Sequence, residues 1–500
     1  MQGIFACVNI NYDTCSREEL IESHKQILHE LNQIKRSLFG AKSERFIPAH
    51  TPDQLNMFAS IADALPPTPQ EATHQVRAHE RKEKIKRIPV RKDFPDHLPR
   101  RVVTIKPEEN TDELELIGKE QTKVLNYVPP QIEVLVFERE KYKRINTDGS
   151  IEILIGELPD RGIDKGNTTP AFQSHVISDK YLDHLPLYRQ HKRLERLGID
   201  MPQSTLNDVV RRIALLLTPM YDLIVEKTLQ SQYVQADESS IRVLNKDAEN
   251  GSMKGCMQVV HAVCEKLAYF RYTPTKEKHH LLELLEGFSG HLQTDGNASY
   301  KSKDAEQSVT LLHCWAHARR KFEQSLENDE QKASHILSEI QLLYAIERRA
   351  RDALLDDAQI LALRQKEAIP ILYRIKAWLD QESIIVLPSS AIGKAIAYTL
   401  NHWQGLIRYT EIGYLQIDNN PVENLIRPLA LGRKNYLFAG SNDGARRAAI
   451  IYTLFAVAIL NGIDPPSWLT NVIYRIQSHP VNRLHELLPL KGYQFVDIPY

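Results

Sequence analysis

Residues 233–240 read YVQADESS and residues 291–296 read HLQTDG, and these two stretches decide the fold. Each is a short apolar run that meets an aspartate, Asp237 in the first and Asp295 in the second. Between them Cys256–Cys264 and Leu267–Tyr272 are strand-like, and a helix is expected from about Thr275 to Leu285. A further strand, Val309–Cys314, runs into Trp315–Phe322. Three strands, a helix, a strand, then a strand and a helix predict a mixed sheet in which segments distant in sequence become neighbours. A single aspartate after a strand is usually a turn residue or a helix cap. Two of them, ending the first and fourth strands, would face each other at a neighbouring-strand edge.

A third carboxylate lies in DNNPVENLIRPLALGRKNYLFAG, residues 418–440. Asn420 is placed to cap a helix and Pro421 to occupy its first position, where a missing N–H costs nothing. Glu423 then falls in the first turn, favoured by the helix dipole, with Arg427 one turn further along. Pro428 is expected to bend or end the helix. A basic, aromatic segment follows, holding Gly432, Arg433, Lys434, Tyr436 and Gly440. Locally two readings stand: an exposed Glu–Arg pair worth about 0.3–0.5 kcal/mol, or a carboxylate that ligates a metal while cations gather phosphates.

The run DNNPVENLIRPLALGRKNYLFAGS resembles the C-terminal signature of the insertion-sequence-66-type bacterial transposases, as do ADESSIRVL, LQTDGNASY and HCWAHARRKF around the two aspartates. The resemblance extends from about Leu20 to near His479 and is weakest between 102 and 157. It implies that Asp237, Asp295 and Glu423 form an Asp-Asp-Glu triad on a ribonuclease-H-like sheet. The implied cofactor is a pair of Mg²⁺ (or Mn²⁺) ions, hard cations suited to oxygen ligands. The implied reaction is cleavage of element ends and joining of 3′-hydroxyls to target DNA. Arg427, Arg433 and Lys434 would hold phosphates or, alternatively, pair with Asp418 or Asp443 to fix the loop. Cys314 and His317 are expected to be a structural pair that positions the strand edge. No zinc is expected, because two ligands at that spacing without a second pair are a weak signal. Two other readings remain: a nuclease or resolvase that only hydrolyses DNA, and a catalytically silent DNA-binding derivative. Retention of all three acids argues against the second of these, and the N-terminal segments argue against a bare nuclease.

Toward the N-terminus, residues 170–230 are expected to be helical. One helix ends near Gly198, and Ser204 caps another, STLNDVVRRIALLL. Two helices joined by a short glycine-containing turn are a helix-turn-helix pattern. The second helix would present Gln203, Thr205, Asn207 and Arg211 or Arg212 to DNA, although such pairs are also common in all-α cores. Residues 102–157 alternate apolar and polar, with strands expected at Val124–Val128, Ile132–Phe137 and Ile151–Ile155, among others. The family resemblance places a zinc ribbon there, but no cysteine lies between 16 and 255, so this β module is degenerate. Residues 47–101 form a linker with Pro66, Pro67 and Pro69, then ten Lys/Arg against four acids from Arg77 to Arg101, including Lys84, Lys86 and Arg87. That stretch is either a solvated tether or a phosphate-neutralising arm. Residues 16–46 carry Leu20, Ile27, Leu31, Ile34 and Leu38 at coiled-coil-like spacing, broken by His24, after a Ser16/Glu19 capping box. The helix packs on its own chain or pairs with another copy, and the resemblance favours a homo-oligomer on DNA, with small accessory proteins as further partners.

From Asn297 to Ile392 there is no glycine, and residues 323–410 read as a helical insertion in which Arg348, Arg349 and Arg351 either brace DNA or pack. The catalytic domain is therefore expected at 231–322 and 411–460. Ser441–Arg447 is a polar turn, Ala448–Leu460 a buried helix, and 461–500 a helical tail. The fold class that follows is multidomain α/β plus α. At 500 residues and a net charge of −1, the totals permit two to four domains and say nothing about nucleic acid. Five scattered cysteines suit a reducing compartment. The first residues lack the basic region and apolar core of a signal peptide, and no run of about 18 apolar residues occurs. The expected location is the bacterial cytoplasm, on the nucleoid, with no membrane partner.

Overall fold

The computed structural model describes residues 132–145, 151–155, 158–163, 166–248, 250–300 and 308–499. Contacts divide the chain into one unit spanning residues 56–158 and another formed by 1–55 with 159–500. The expected coiled-coil-like helix, the linker and its basic residues Lys84, Lys86 and Arg87, and the strands before residue 132 lie outside the described residues.

In the smaller unit, β1 (Lys141–Ile145) and β2 (Ile151–Ile155) pair antiparallel, with Lys141 opposite Ile155. The strand expected at Ile132–Phe137 is corrected. That segment has no regular structure, and Val134 is 88% exposed. Alternation marks a strand only where a neighbour supplies the ladder and a core covers one face. Here neither is present among the described residues.

The larger unit is built on a five-stranded sheet in the order β5-β4-β3-β6-β7. Strands β3 (Tyr233–Leu244), β4 (Ser252–Ala262) and β5 (Leu267–Thr273) run antiparallel. Strands β6 (Gly290–Thr294) and β7 (Val309–His313) then add parallel on the other side of β3. Eight consecutive residues of β4, Gly255–Ala262, are buried, as expected of a strand covered on both faces. Asp237 is the fifth residue of a twelve-residue β3 rather than its end, because β3 continues beside β4 to Leu244.

Helices α1 (Pro170–Tyr181), α2 (Leu187–Arg196), α3 (Gln203–Leu216) and α4 (Thr218–Leu229) precede the sheet. Thr169 caps α1 by accepting from Phe172 N–H, with Pro170 at the first turn. Helix α3 begins one residue before the expected Ser204 cap, after Pro202 and without a side-chain cap. Helix α5 (Lys278–Leu284) links β5 to β6, and α6 (Trp315–Gln324) follows β7. The helical insertion comprises α7 (Glu330–Asp352), α8 (Asp357–Leu363), α9 (Ile369–Ile385), α10 (Ala391–Asn401) and α11 (Trp403–Ile407). It has its own core, including Ile336, Leu337, Ile340, Leu343, Ile375 and Leu379, and it joins the sheet through Tyr233 and Leu312.

Three expectations about the last third are corrected. Helix α12 (Asn420–Tyr436) continues past Pro428, so of the two outcomes expected there the helix does not end, and it buries Leu429 and Gly432 beyond the proline. Burial on that face outweighs the one backbone bond that proline removes. Its cap is Asn419, not Asn420, and it makes no side-chain capping bond, because Asn420 turns back to the Asp418 carboxylate. Helix α13 (Asn442–Leu460) absorbs the expected polar turn, since the Ser441 hydroxyl accepts from Gly444 N–H at 3.0 Å and starts the helix there. Helix α14 (Pro465–Arg475) is the one α-helix among the described residues of the tail, which goes on to a 3₁₀ segment, Val481–Leu487, and then irregular chain. Among the described residues no single helix is long and apolar enough to cross a membrane.

Candidate active site

Strand register brings the two aspartates level. β3 pairs with β6 so that Gln235 stands opposite Gln293. Asp237 lies two residues further on in β3, and Asp295 two residues further on just past β6, near enough on that face of the sheet for the Asp295 carboxylate to raise the Asp237 pKa. Asp295 sits in the bend after β6, where its Oδ1 accepts from Asn297 N–H at 2.9 Å. Asp237 Oδ1 accepts from Glu238 N–H at 2.7 Å.

Glu423 reaches this face through a buried polar lock. Gln235 Nε2 lies 2.9 Å from the Asp418 carbonyl oxygen, and Gln235 Oε1 accepts from Val422 N–H at 3.2 Å. One glutamine on β3 thus grips both the approach to α12 and its first turn. Gln293 Nε2 donates to the Gln416 carbonyl at 2.9 Å, and the Tyr233 hydroxyl donates to Gln293 Oε1 at 2.5 Å. Cys314 Sγ accepts from Asn419 N–H at 3.4 Å. The Cys314 sulfur thus holds the residue that caps the Glu423 helix. Apart from half-buried Gln416, the residues joined here are buried, so these bonds offset a desolvation penalty.

Burial above all, joined by the carboxylates of Asp295, Glu423 and Glu238, pushes the Asp237 carboxyl up to about 7, against the pull of the Glu238 amide. Its environment is dry and too negative, the condition that a divalent cation relieves. The donor set is all carboxylate oxygen, which suits a hard cation. Asp237, Asp295 and Glu423 are the residues that could hold it.

Around Glu423 stand His317 and Arg320, both on α6. His317 Nδ1 lies 3.7 Å from Glu423 Oε1, and an Arg320 guanidinium nitrogen lies 3.7 Å from Oε2. Burial, and then Arg320, hold the His317 imidazole below its usual pKa. The insertion braces the other side. The Tyr398 hydroxyl donates to the Asp295 carbonyl at 2.6 Å, and His402 Nε2 lies 3.2 Å from the Gly296 carbonyl oxygen. Gly296 has φ +90°, and a Cβ there would sit 2.8 Å from His402 Nε2, so glycine is required twice over.

The basic residues divide. Arg433 turns inward, donating to Ser239 Oγ at 2.9 Å and to the Ser240 carbonyl at 2.5 Å, so it binds α12 to β3. Arg427 and Lys434 are exposed. On α3, Arg211 and Arg212 are exposed and both pair with Asp208, at 2.5 and 2.8 Å. Gln203 and Asn207 are exposed as well, and Thr205 is half-buried. A separate surface group, His279, His280 and Glu283, brings three donor atoms within 4.8 Å of one another, but Glu283 already accepts from Arg271 at 3.1 Å.

Sequence reading missed Gln235, Gln293, Tyr398, His402 and Arg320. One signal was present: Gln-x-Asp occurs three times, as Gln235-x-Asp237, Gln293-x-Asp295 and Gln416-x-Asp418, and all three copies take part in this network. Tyr398 and His402 left no comparable mark, since their partners are backbone carbonyls.

Residues 165–447 match the family described as Transposase IS66 family. The chain belongs to that family. Residues 453–490 match its C-terminal element, and residues 26–103 match a segment described as Transposase C of IS166 homeodomain. Three Sinorhizobium fredii proteins of the strain NGR234 are similar over most of their length. y4hP is 29% identical across 92% of this chain and 87% of its own, y4jD 30% across 94% and 95%, and y4qI 30% across 92% and 87%. Each is described only as an uncharacterized protein. Membership in a transposase family makes DNA the partner of this chain.

Proposed function

We propose that this IS66-family chain is an Asp-Asp-Glu transposase that cleaves element ends and joins the 3′-hydroxyls to target DNA. The observation that carries the reading is the shared face of Asp237 and Asp295, set by the Gln235–Gln293 register, together with the glutamine lock that holds the Glu423 helix against it. The sheet order, three antiparallel strands followed by two parallel ones, supports a ribonuclease-H-like architecture.

Asp237, Asp295 and Glu423 would hold two Mg²⁺ or Mn²⁺ ions, which when bound activate an attacking oxygen and stabilise the leaving one at a phosphodiester. The chain's own contribution is positioning. Asp237 must give up its proton to bind a cation, and its burial and the neighbouring carboxylates make that loss easier when positive charge is present. Arg320 and His317 orient Glu423, and Tyr398 fixes the loop that carries Asp295. Arg427 and Lys434 are exposed to take DNA phosphates, and the pair α2 and α3 supplies a second contact through Arg211 and Arg212. The basic residues Lys84, Lys86 and Arg87 add sequence-independent attraction. Self-association through residues 16–46 would place two such sites on paired ends.

The test is a strand-transfer assay with Mg²⁺ and element-end DNA, comparing the wild type with Asp237→Asn. Joined product from the wild type and none from the variant is expected. Cutting without joining would reassign the chain to the hydrolytic nucleases. Binding with neither step would leave it a silent derivative.

A further inference from the structure

The turn that leaves α12 holds its leucine in a conformation that leucine rarely adopts. Leu437 has φ +64° and ψ −39°, and Phe438 N–H donates to the Tyr436 carbonyl at 2.7 Å. That is a γ-turn of the non-inverse kind, rare and strained, and the strain is greatest for a bulky residue. Anchors on both sides impose it. The Tyr436 and Tyr452 hydroxyls lie 2.9 Å apart, Ala439 N–H donates to the Arg242 carbonyl at 2.8 Å, and Leu244 N–H donates to Ala439 at 2.9 Å. The outcome is two large apolar side chains pushed outward, Leu437 at 62% and Phe438 at 41% exposure, with Leu431 at 51% on the last turns of the same helix. Nothing in folding favours this arrangement, since glycine would adopt the turn without strain and without exposing a side chain.

The surroundings are cationic. Residues 424–447 hold five Lys/Arg and one acid, Asp443, in a chain whose overall net charge is −1. Arg427 and Lys434 on α12 are exposed, and so is Arg242 on the strand that pairs with Ala439. An apolar tip flanked by positive charge matches stacked bases inside a phosphate backbone better than it matches another protein's apolar surface. We propose that Leu437 and Phe438 form a wedge that enters the base stack of duplex DNA near the cleaved end, with Arg427 and Lys434 on the adjoining phosphates. This inference rests on the reading of the chain as a DNA-cutting transposase. Leu437 lies fourteen residues beyond Glu423 on the chain (437 − 423). A helix rises about 1.5 Å per residue, so the wedge lies roughly 21 Å from the acid. For a duplex lying along α12 that is about six base-pair steps at ~3.4 Å each.

The experiment places 2-aminopurine at successive positions of an element-end duplex and records its fluorescence with the full chain, wild type or variant. Wild-type protein is expected to brighten one or two adjacent positions several-fold, about six pairs from the cleaved bond. Leu437→Gly and Phe438→Ala are expected to lose most of that rise. Leu437→Gly relieves the turn, so its melting temperature should equal or exceed that of the wild type, which separates wedge loss from misfolding. A wild type that binds and cuts the duplex without brightening any position overturns the wedge and leaves the transposase reading intact. A rise that survives in both variants overturns it as well. If the variants change self-association in sedimentation while the fluorescence rise is unchanged, the patch belongs to a second copy of the chain. A wild type that neither binds nor cuts DNA sinks the functional reading, and the wedge with it.

Discussion

His261 on β4 is 3% exposed, and neither ring nitrogen has a hydrogen-bond partner. Burial alone pushes its imidazole down to about 4. A histidine whose folded pKa is depressed is held neutral, so its contribution to stability is complete above the unfolded value of about 6.5. That contribution is lost as pH falls from there toward 4, about 3 kcal/mol in total. Replacing His261 with leucine, of similar volume and unable to charge, should flatten the fall in stability across this window. Urea midpoints measured from pH 7 to 4 would show it, and a variant with the wild-type slope would refute the assignment. Asp237 shows the opposite case, a carboxyl raised by burial and like charges. The largest cause is burial, which no stretch of neighbouring residues encodes and which only the packed site supplies.

At the scale of elements, two polar devices hold neighbouring segments together. Arg364 is 2% exposed and meets Glu347 in two parallel bonds of 2.8 and 2.7 Å. Its remaining donors reach the carbonyls of Tyr409, Ile412 and Gly413. These carbonyls lead directly into the segment before α12. Arg364→Ala leaves a buried carboxylate beside unsatisfied carbonyls and should cost about 3–5 kcal/mol, read as a lower denaturation midpoint; a loss under 1 kcal/mol would mean water replaces the guanidinium. The second device is the glutamine lock. Gln235→Leu should cost about 1–3 kcal/mol through its orphaned partners. Because it loosens the first turn of α12, it should also raise the Mg²⁺ concentration needed for half-maximal cleavage. An unchanged Mg²⁺ requirement would show that the lock serves stability alone. Helix α12 also shows why local rules misplace boundaries: Pro428 is a genuine breaker, but Val422, Ile426, Leu429 and Gly432 form one buried face that carries the helix past it.

At the scale of the whole molecule, every described residue of the two hydrophobic cores lies between Ile163 and Tyr493. If these described cores suffice for folding, the fragment spanning residues 159–500 should fold without the first 158 residues and melt within a few degrees of the main transition of the full chain. Circular dichroism would check this, and a fragment without a cooperative transition would show that the N-terminal portion contributes to the core. The insertion is more than an appendage, since its α10 supplies Tyr398 and His402 to the loop of Asp295. The block that sequence reading assigned mainly to packing also holds one of the acids in place.

The sequence by itself determined the order of strands and helices along the chain and the helical insertion, and it singled out three carboxylates, because periodicity and local motifs are written in neighbouring residues. It also carried the family, through contiguous runs such as DNNPVENLIRPL. Only the tertiary structure decided that Asp237 lies mid-strand, that Arg433 faces inward, that α12 survives its proline, and that Gln235 binds the helix of Glu423. Each of these depends on contacts between residues up to almost two hundred positions apart, and no local pattern encodes the register or the burial that makes such contacts favourable.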